Sequence, residues 1–167
     1  IFVDSDVIVR KDALNLLEYT PEDVFCAMNE SKGFGDTPMW GAKKTFREVL
    51  EECASQHNLK DCLKNWNGNY FTVGLFVASK CHKEIFKPPV KEIDMYLPEQ
   101  SYFNLRIAQL GCKTKNLPES IHQCVSYQRK NIPETYKIPF LHYCGIGRMT
   151  DFNPEALKKE LLIIDSY

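Results

Sequence analysis

The sequence predicts an α/β fold with a mixed sheet, on three observations. Short apolar runs alternate with longer amphipathic ones, the pattern of strands separated by helices. The run at residues 70–78 (YFTVGLFVA) is apolar on both faces, as a strand covered on both sides must be. The length, 167 residues, suffices for one domain with a sizeable core, so residues 1–167 are expected to form a single domain.

The elements follow in order. Residues 1–3 (IFV) form a short buried strand, already under way at the first residue. Asp12 is expected to cap a short helix over 13–18, which Pro21 stops after Thr20. Residues 24–28 (VFCAM) are a second strand, and Gly33, Gly35 and Pro38 then make a loop containing Phe34 and Trp40. Over 43–57 the period turns helical, with Phe46, Val49, Leu50 and Cys53 as the core stripe. Gly74 interrupts strand 70–78, which marks a close approach of ligand or backbone. Ser79 is placed to cap the helix that follows. A helix over 99–110 ends at Gly111. Residues 138–143 (IPFLHY) are a further strand, and Asn153 with Pro154 opens a last helix.

Composition narrows the function classes. With 44% hydrophobic and 26% charged residues, the chain is globular in character. Lys plus Arg is 21 and Asp plus Glu is 22, a net charge of -1, which provides no footprint for nucleic acid. No stretch approaches the roughly 20 apolar residues of a membrane span. The first ten residues carry charges at 4, 6 and 10, unlike the apolar core of a secretory leader. Seven cysteines, irregularly spaced and with no C-x-x-C pair, argue against a zinc ribbon. Reduced thiols in the cytoplasm are the expectation, and a Golgi or secretory lumen with one or two disulfides is the alternative.

The chemistry begins at Asp4 and Asp6. In open α/β sheets ligands sit at the carboxyl ends of strands, and Asp4 follows the apolar run 1–3. If the segment stays extended, the two carboxylates project to one side and repel unless a cation lies between them. Hard oxygen ligands suit Mg²⁺ or Mn²⁺. The competing reading is a solvated turn, where Asp and Ser are common. Near the other end, residues 142–148 (HYCGIGR) follow an apolar strand. His142 can ligate a metal, Gly145 and Gly147 free the backbone to approach a phosphate, and Arg148 can bind it with its planar fork. Trp40 and Trp66 could stack on a sugar, although partly buried loop anchors are the commoner role. Lys158 and Lys159 are expected on a solvated helix face.

An apolar strand followed by D-x-D also resembles the opening of haloacid-dehalogenase-type phosphatases, with Asp4 as nucleophile and Asp6 as general acid. Ile8 departs from the Thr or Val expected there, and no distal acidic pair completes that pattern.

Four features in order resemble the retaining GT-A glycosyltransferases of the glycogenin and lipopolysaccharide galactosyltransferase type. They are IFVDSDVIV for the D-x-D strand, YFTVGLFVA for the central strand, PEQSYFNL for the helix that opens with an acid and Gln, and HYCGIGR for the H-x-x-G-x-x-K turn. The resemblance spans about 145 residues. It implies a mixed-sheet GT-A fold and a metal-dependent transfer of a hexose from a nucleotide diphosphate sugar to an acceptor hydroxyl of a carbohydrate or protein, with retention. A UDP-sugar is the expected donor. It implies Asp4, Asp6 and His142 as ligands of Mn²⁺ or Mg²⁺. Asp4, Gly74, Gly145, Gly147 and Arg148 would lie along the donor, and Glu99 and Gln100 at the reacting centre. Thr72 stands for the family's Asn, Val73 for its small residue, Glu99 for its Asp, Arg148 for its Lys, and Met149-Thr150 for its Pro-Trp, so the resemblance is to a divergent member. That fold places a nucleotide-binding βαβ part before the D-x-D strand, and this chain is expected to be the portion that follows it. A non-catalytic relic of such an enzyme is the non-enzymatic alternative.

Overall fold

The computed structural model describes residues 1–34, 43–95, 97–124 and 136–143, together with Lys158 and Leu162. It contains β1 (Phe2–Val3), β2 (Val7–Val9), α1 (Leu16–Tyr19), β3 (Phe25–Asn29), α2 (Ser31–Phe34) and α3 (Phe46–Gln56). A 3-10 helix (Lys60–Asn65), β4 (Phe71–Val77) and a second 3-10 helix (Lys80–Phe86) follow. Then come α4 (Pro98–Gln109), β5 (Thr114–Asn116), β6 (His122–Cys124) and β7 (Phe140–His142). The strands form two mixed sheets, β1-β4-β3-β5 and β2-β7-β6. In each sheet one pair is parallel, β3 with β5 and β6 with β7, and the others are antiparallel. The mixed α/β class is the expected one; the division of the strands into two sheets is new.

Sheet burial follows from period two. Along β3, Phe25 and Ala27 enter one apolar cluster and Cys26 and Met28 another, so both faces are covered. On β4, strict alternation would put Phe71 and Phe76 on opposite faces, yet both pack with Phe25. The reason is an irregularity in the β3–β4 pairing: Ala27 and Asn29, two residues apart, oppose Phe76 and Phe71, five residues apart, and an odd excess swaps the face that β4 presents. Gly74 lies within the slipped stretch of β4. The expectation that residues 1–3 are buried is corrected. β1 is the edge strand of its sheet, and Ile1, Phe2 and Val3 are all exposed. Phe2 still covers one side of Phe76, with the rings stacked at a centroid distance of 4.8 Å.

The helices pack on the sheet through a third cluster of Phe46, Val49, Leu50, Cys53, Ala54, Tyr70 and Leu105. Thr45, not Lys43, starts α3. It forms a capping box in which Glu48 N donates to Thr45 Oγ1 at 3.2 Å and Thr45 N donates to Glu48 Oε2 at 2.7 Å. Asn15, not Asp12, caps α1, accepting from Leu17 N at 3.1 Å. Asp12 is instead held by Arg10, 3.0 Å away. The segment after Ser79 is a 3-10 helix, with Ser79 N donating to His82 Nδ1 at 3.1 Å. α4 begins at Pro98, whose missing N–H costs nothing in a first turn. The expected last helix lies largely outside the described residues; within it, Lys158 and Leu162 are helical, and Lys158 is exposed as anticipated.

One buried side chain joins α4 to the sheet. Asn104 Oδ1 accepts from Phe71 N at 2.7 Å, while Nδ2 donates to Phe71 O at 2.8 Å and to Gln100 O at 2.9 Å. It completes both backbone groups at the start of β4. Asn104→Ala strands them without water, which costs about 3 kcal/mol. In urea denaturation the variant should lose that much stability with an unchanged slope.

Candidate functional site

The D-S-D segment is a turn, not extended strand. Val7 N donates to Asp4 O at 3.2 Å, closing the turn, and Ser5 N donates to Asp4 Oδ1 at 2.7 Å. The expectation of one extended segment carrying both carboxylates is thereby corrected. The physical reason is that the chain changes sheets here. β1 pairs with β4, and β2 pairs with β7. Asp4 N donates to Gly74 O at 2.8 Å, while Asp6 O accepts from Tyr143 N at 2.9 Å. The turn thus ties Asp4 to one sheet and Asp6 to the other.

Asp6 and His142 come together. The β2–β7 register sets Val7 opposite His142, so Asp6 lies one residue beyond that pair. His142 Nε2 is 3.2 Å from Asp6 Oδ1. The distance is short, Oδ1 is buried, and the pair falls short of full hydrogen-bond geometry. On the other side of the ring, Nδ1 is 3.6 Å from Cys124 Sγ, within hydrogen-bond reach of sulfur. His122 stacks on the ring at a centroid distance of 5.5 Å and an interplanar angle of 21°. Burial pushes the His142 pKa down, opposed by the charges of the Asp6 and Asp4 carboxylates and by the close Asp6 contact at its ring nitrogen. Burial, with His142 beside it, pushes His122 down to about 3. Its two ring nitrogens have no hydrogen-bond partner.

Gly74 makes this packing possible. A Cβ at position 74 would lie 2.6 Å from His142 Nδ1 and closer still to Cε1. The close approach that the glycine signalled is made by the imidazole.

A second polar group lies two residues along β4. Gln100 Nε2 donates to a Glu30 carboxylate oxygen at 3.0 Å, and Thr72 also hydrogen-bonds that carboxyl. Glu30 follows the last residue of β3, and its N–H donates to Tyr70 O at 2.8 Å. Some of its surface stays accessible, but dense surroundings strip most of its hydration and raise its pKa to about 7. Tyr70 OH and Ser101 Oγ, 3.0 Å apart, extend the network. Two residues of strand span about 7 Å, so Thr72 and Gly74 put the two groups on neighbouring positions of one strand.

Of the residues singled out in the sequence, Asp4, Asp6, Gly74 and His142 gather at the sheet junction. Gln100 is buried against Glu30, whereas Glu99 is exposed in the first turn of α4. Gly145, Gly147, Arg148 and Trp40 lie outside the described residues. Trp66 is a loop anchor: Nε1 donates to Asn69 O at 2.6 Å, and the Arg47 guanidinium sits 5.8 Å from its ring centroid. Sequence reasoning missed Glu30, His122 and Cys124. Glu30 had a signal, a carboxylate at a strand's carboxyl end. The three-residue β6 is too short for its alternation of His122 and Cys124 to stand out.

Among the described residues, no three His, Cys, Asp or Glu side chains are gathered into a group able to hold a metal ion. Nor is any helix there long and apolar enough to cross a membrane. Cys26, Cys53, Cys62, Cys81 and Cys112 are free thiols, and burial raises the Cys53 pKa to about 11. Compared with protein-family models, curated proteins and solved structures, the chain matches none.

Both polar groups can be tested by substitution. Gly74→Ala pushes the His142 ring from its place and should cost about 1–3 kcal/mol, with the His142 ring resonances shifted in NMR spectra. Glu30 holds its proton more tightly folded than unfolded, so stability falls as pH rises from its ordinary 4.5 to about 7. The loss is on the order of 2 kcal/mol, and Glu30→Gln should abolish it when urea midpoints at about pH 5 and about pH 8 are compared.

Proposed function

We propose that the chain is part of a metal-dependent glycosyltransferase. It would move a hexose from a nucleotide diphosphate sugar, with UDP the expected nucleotide, to an acceptor hydroxyl with retention. The observation that carries this reading is the facing pair of Asp6 Oδ1 and His142 Nε2, 3.2 Å apart, with the oxygen buried and lacking a hydrogen bond. A carboxylate oxygen and an imidazole nitrogen are a donor set suited to Mn²⁺. Asp4 adds negative charge close enough to act on His142. Its side chain, turned to Ser5 N, would have to leave that hydrogen bond to become a third ligand. Among the described residues the ion would thus find two ligands in place, Asp6 and His142, and would need Asp4 to turn before a third was present.

Bound there, the ion supplies charge that stabilises the departing nucleoside diphosphate. The protein's own residues do the rest. Gln100 holds its amide on Glu30, and together they would offer acceptors and donors to sugar hydroxyls beside Thr72, two residues along β4 from Gly74. Glu99, exposed at the opening of α4, is free to meet the acceptor side. Gly145, Gly147 and Arg148 take the diphosphate in this reading.

The test is Mn²⁺ titration of the whole chain by electron paramagnetic resonance, then calorimetry with a UDP-hexose. Asp6→Asn and His142→Ala should each weaken Mn²⁺ binding at least ~10-fold, and with it any UDP-hexose binding. Unchanged Mn²⁺ affinity in both variants sinks the proposal. Covalent capture of Asp4 by beryllofluoride without any response to UDP-hexose would replace it with the phosphatase reading.

A further inference from the structure

Two thiols outside the candidate site converge on the entry to β3. The strand order sets β3 between β4 and β5, so the two outer backbones run about 10 Å apart. The 3-10 helix Lys80–Phe86, which leaves β4, narrows that gap by turning back across the start of β3. Ser79 Oγ donates to Glu22 O, and Cys81 Sγ is 3.7 Å from the same oxygen. The His82 ring meets Phe25 edge-on at a centroid distance of 6.2 Å. From the other side, Lys113 pairs with Asp23, and Lys113 O accepts from Phe25 N at 2.9 Å. Cys112, the residue before it, packs against the Phe25 cluster. The last turn of α4 holds both segments: Arg106 Nη2 donates to Glu84 O at 2.7 Å, and Cys112 N donates to Ile107 O at 3.2 Å.

The two thiols differ in exposure as a stepwise exchange requires. Among the described cysteines, Cys81 is exposed, Cys112 is half-buried, and Cys26, Cys53 and Cys124 are buried. Cys62, also half-buried, packs on the separate cluster around Phe46 and Tyr70. Burial pushes the Cys112 thiol up, and negative charge on Cys81 raises it further, as expected of neighbouring sulfurs. An exposed thiol meets a soluble oxidant first, and a neighbouring thiol then resolves the adduct.

We propose that Cys81 and Cys112 form a disulfide, with a small-molecule disulfide as the oxidant. The Cys81 thiolate attacks one sulfur of the oxidant, whose S–S bond breaks and releases one thiol. Cys81 then carries the other half as a mixed disulfide. The Cys112 thiolate attacks the Cys81 sulfur, forms the protein S–S bond and releases the second thiol. Two electrons pass from the protein thiols to the oxidant, and their two protons end on the two thiols released. The contacts that Cys81 gives up, to Ser79 Oγ at 3.0 Å and to Glu22 O, lie at the surface. The bond closes a loop of roughly 30 residues that contains the whole of α4, with Glu99, Gln100 and Asn104. Closing it restricts the unfolded chain, so the oxidised protein is the more stable form. None of this depends on the metal reading.

The test uses the whole chain, reduced and then equilibrated with mixtures of oxidised and reduced glutathione. Alkylation, proteolysis and mass spectrometry locate the bonds. The wild type should yield a reductant-sensitive pair of peptides joined through Cys81 and Cys112 of a single chain. Its thermal midpoint should rise by about 5–10 °C over that of the reduced protein. Cys81→Ser, a surface change, should remove both the link and the rise. Cys112→Ala should do the same, with circular dichroism as the check that each variant folds. If Cys112→Ala does not fold, the wild type and Cys81→Ser decide the matter through the link and the midpoint. Cys81 recovered only as a free thiol or a glutathione adduct in the most oxidising mixture overturns the proposal. So does a bond from Cys81 to any other cysteine, within one chain or between two.

Discussion

The two sheets meet where residue 74 has no side chain. His142 occupies the volume that any Cβ on β4 would need, and its ring is what β7 contributes to the junction. Everything around it is placed by that approach. Cys124 is opposite His142 by ladder register, His122 is stacked on the ring, and Asp6 is brought in by the pairing of β2 with β7. A glycine in mid-strand weakens the strand by the entropy it loses on folding. Here the compensation is a buried imidazole that could not otherwise reach the sheet.

The same strand carries the second polar group, and the two differ in kind. At Gly74 buried groups lack hydrogen bonds: Asp6 Oδ1 and the two nitrogens of His122. At Thr72 the polar groups are satisfied among themselves, through Gln100, Glu30, Asn104 and the Phe71 backbone. Satisfied networks fix a structure, while orphaned buried atoms mark the places where something else is wanted. The division along β4 therefore separates a rigid, self-contained half from an incomplete one. The incomplete half holds the candidate ligands.

Period two and period 3.6 are enough to find β3, β4, α3 and α4 to within a few residues, because each is long and faces a packed core. Helix starts are less legible: Asn15 wins as a cap over Asp12, and Thr45 starts α3 two residues after the helical period begins, because their side chains reach the right N–H, which no spacing rule weighs. The exposure of β1 is hidden too, since an apolar run of three does not say whether a neighbouring strand will cover it. β2, β5 and β6 escape notice because three residues show no period. Their existence depends on partners far along the chain. For the site, residue type finds Asp4, Asp6, Gly74 and His142, but not which of them touch. The separation of Asp4 from Asp6 is invisible because it comes from a turn between sheets, and His122 and Cys124 because their strand is defined by its neighbour.

That turn has a mechanical meaning. Asp4 is bonded to Gly74 of the first sheet, and Asp6 to Tyr143 at the end of β7 in the second. The Asp6–His142 separation is therefore internal to one sheet and survives any sliding of one sheet over the other. The Asp4–His142 separation is not. A three-residue motif thus behaves as a gauge laid across a joint, with one jaw fixed beside the imidazole and the other riding on the opposite plate.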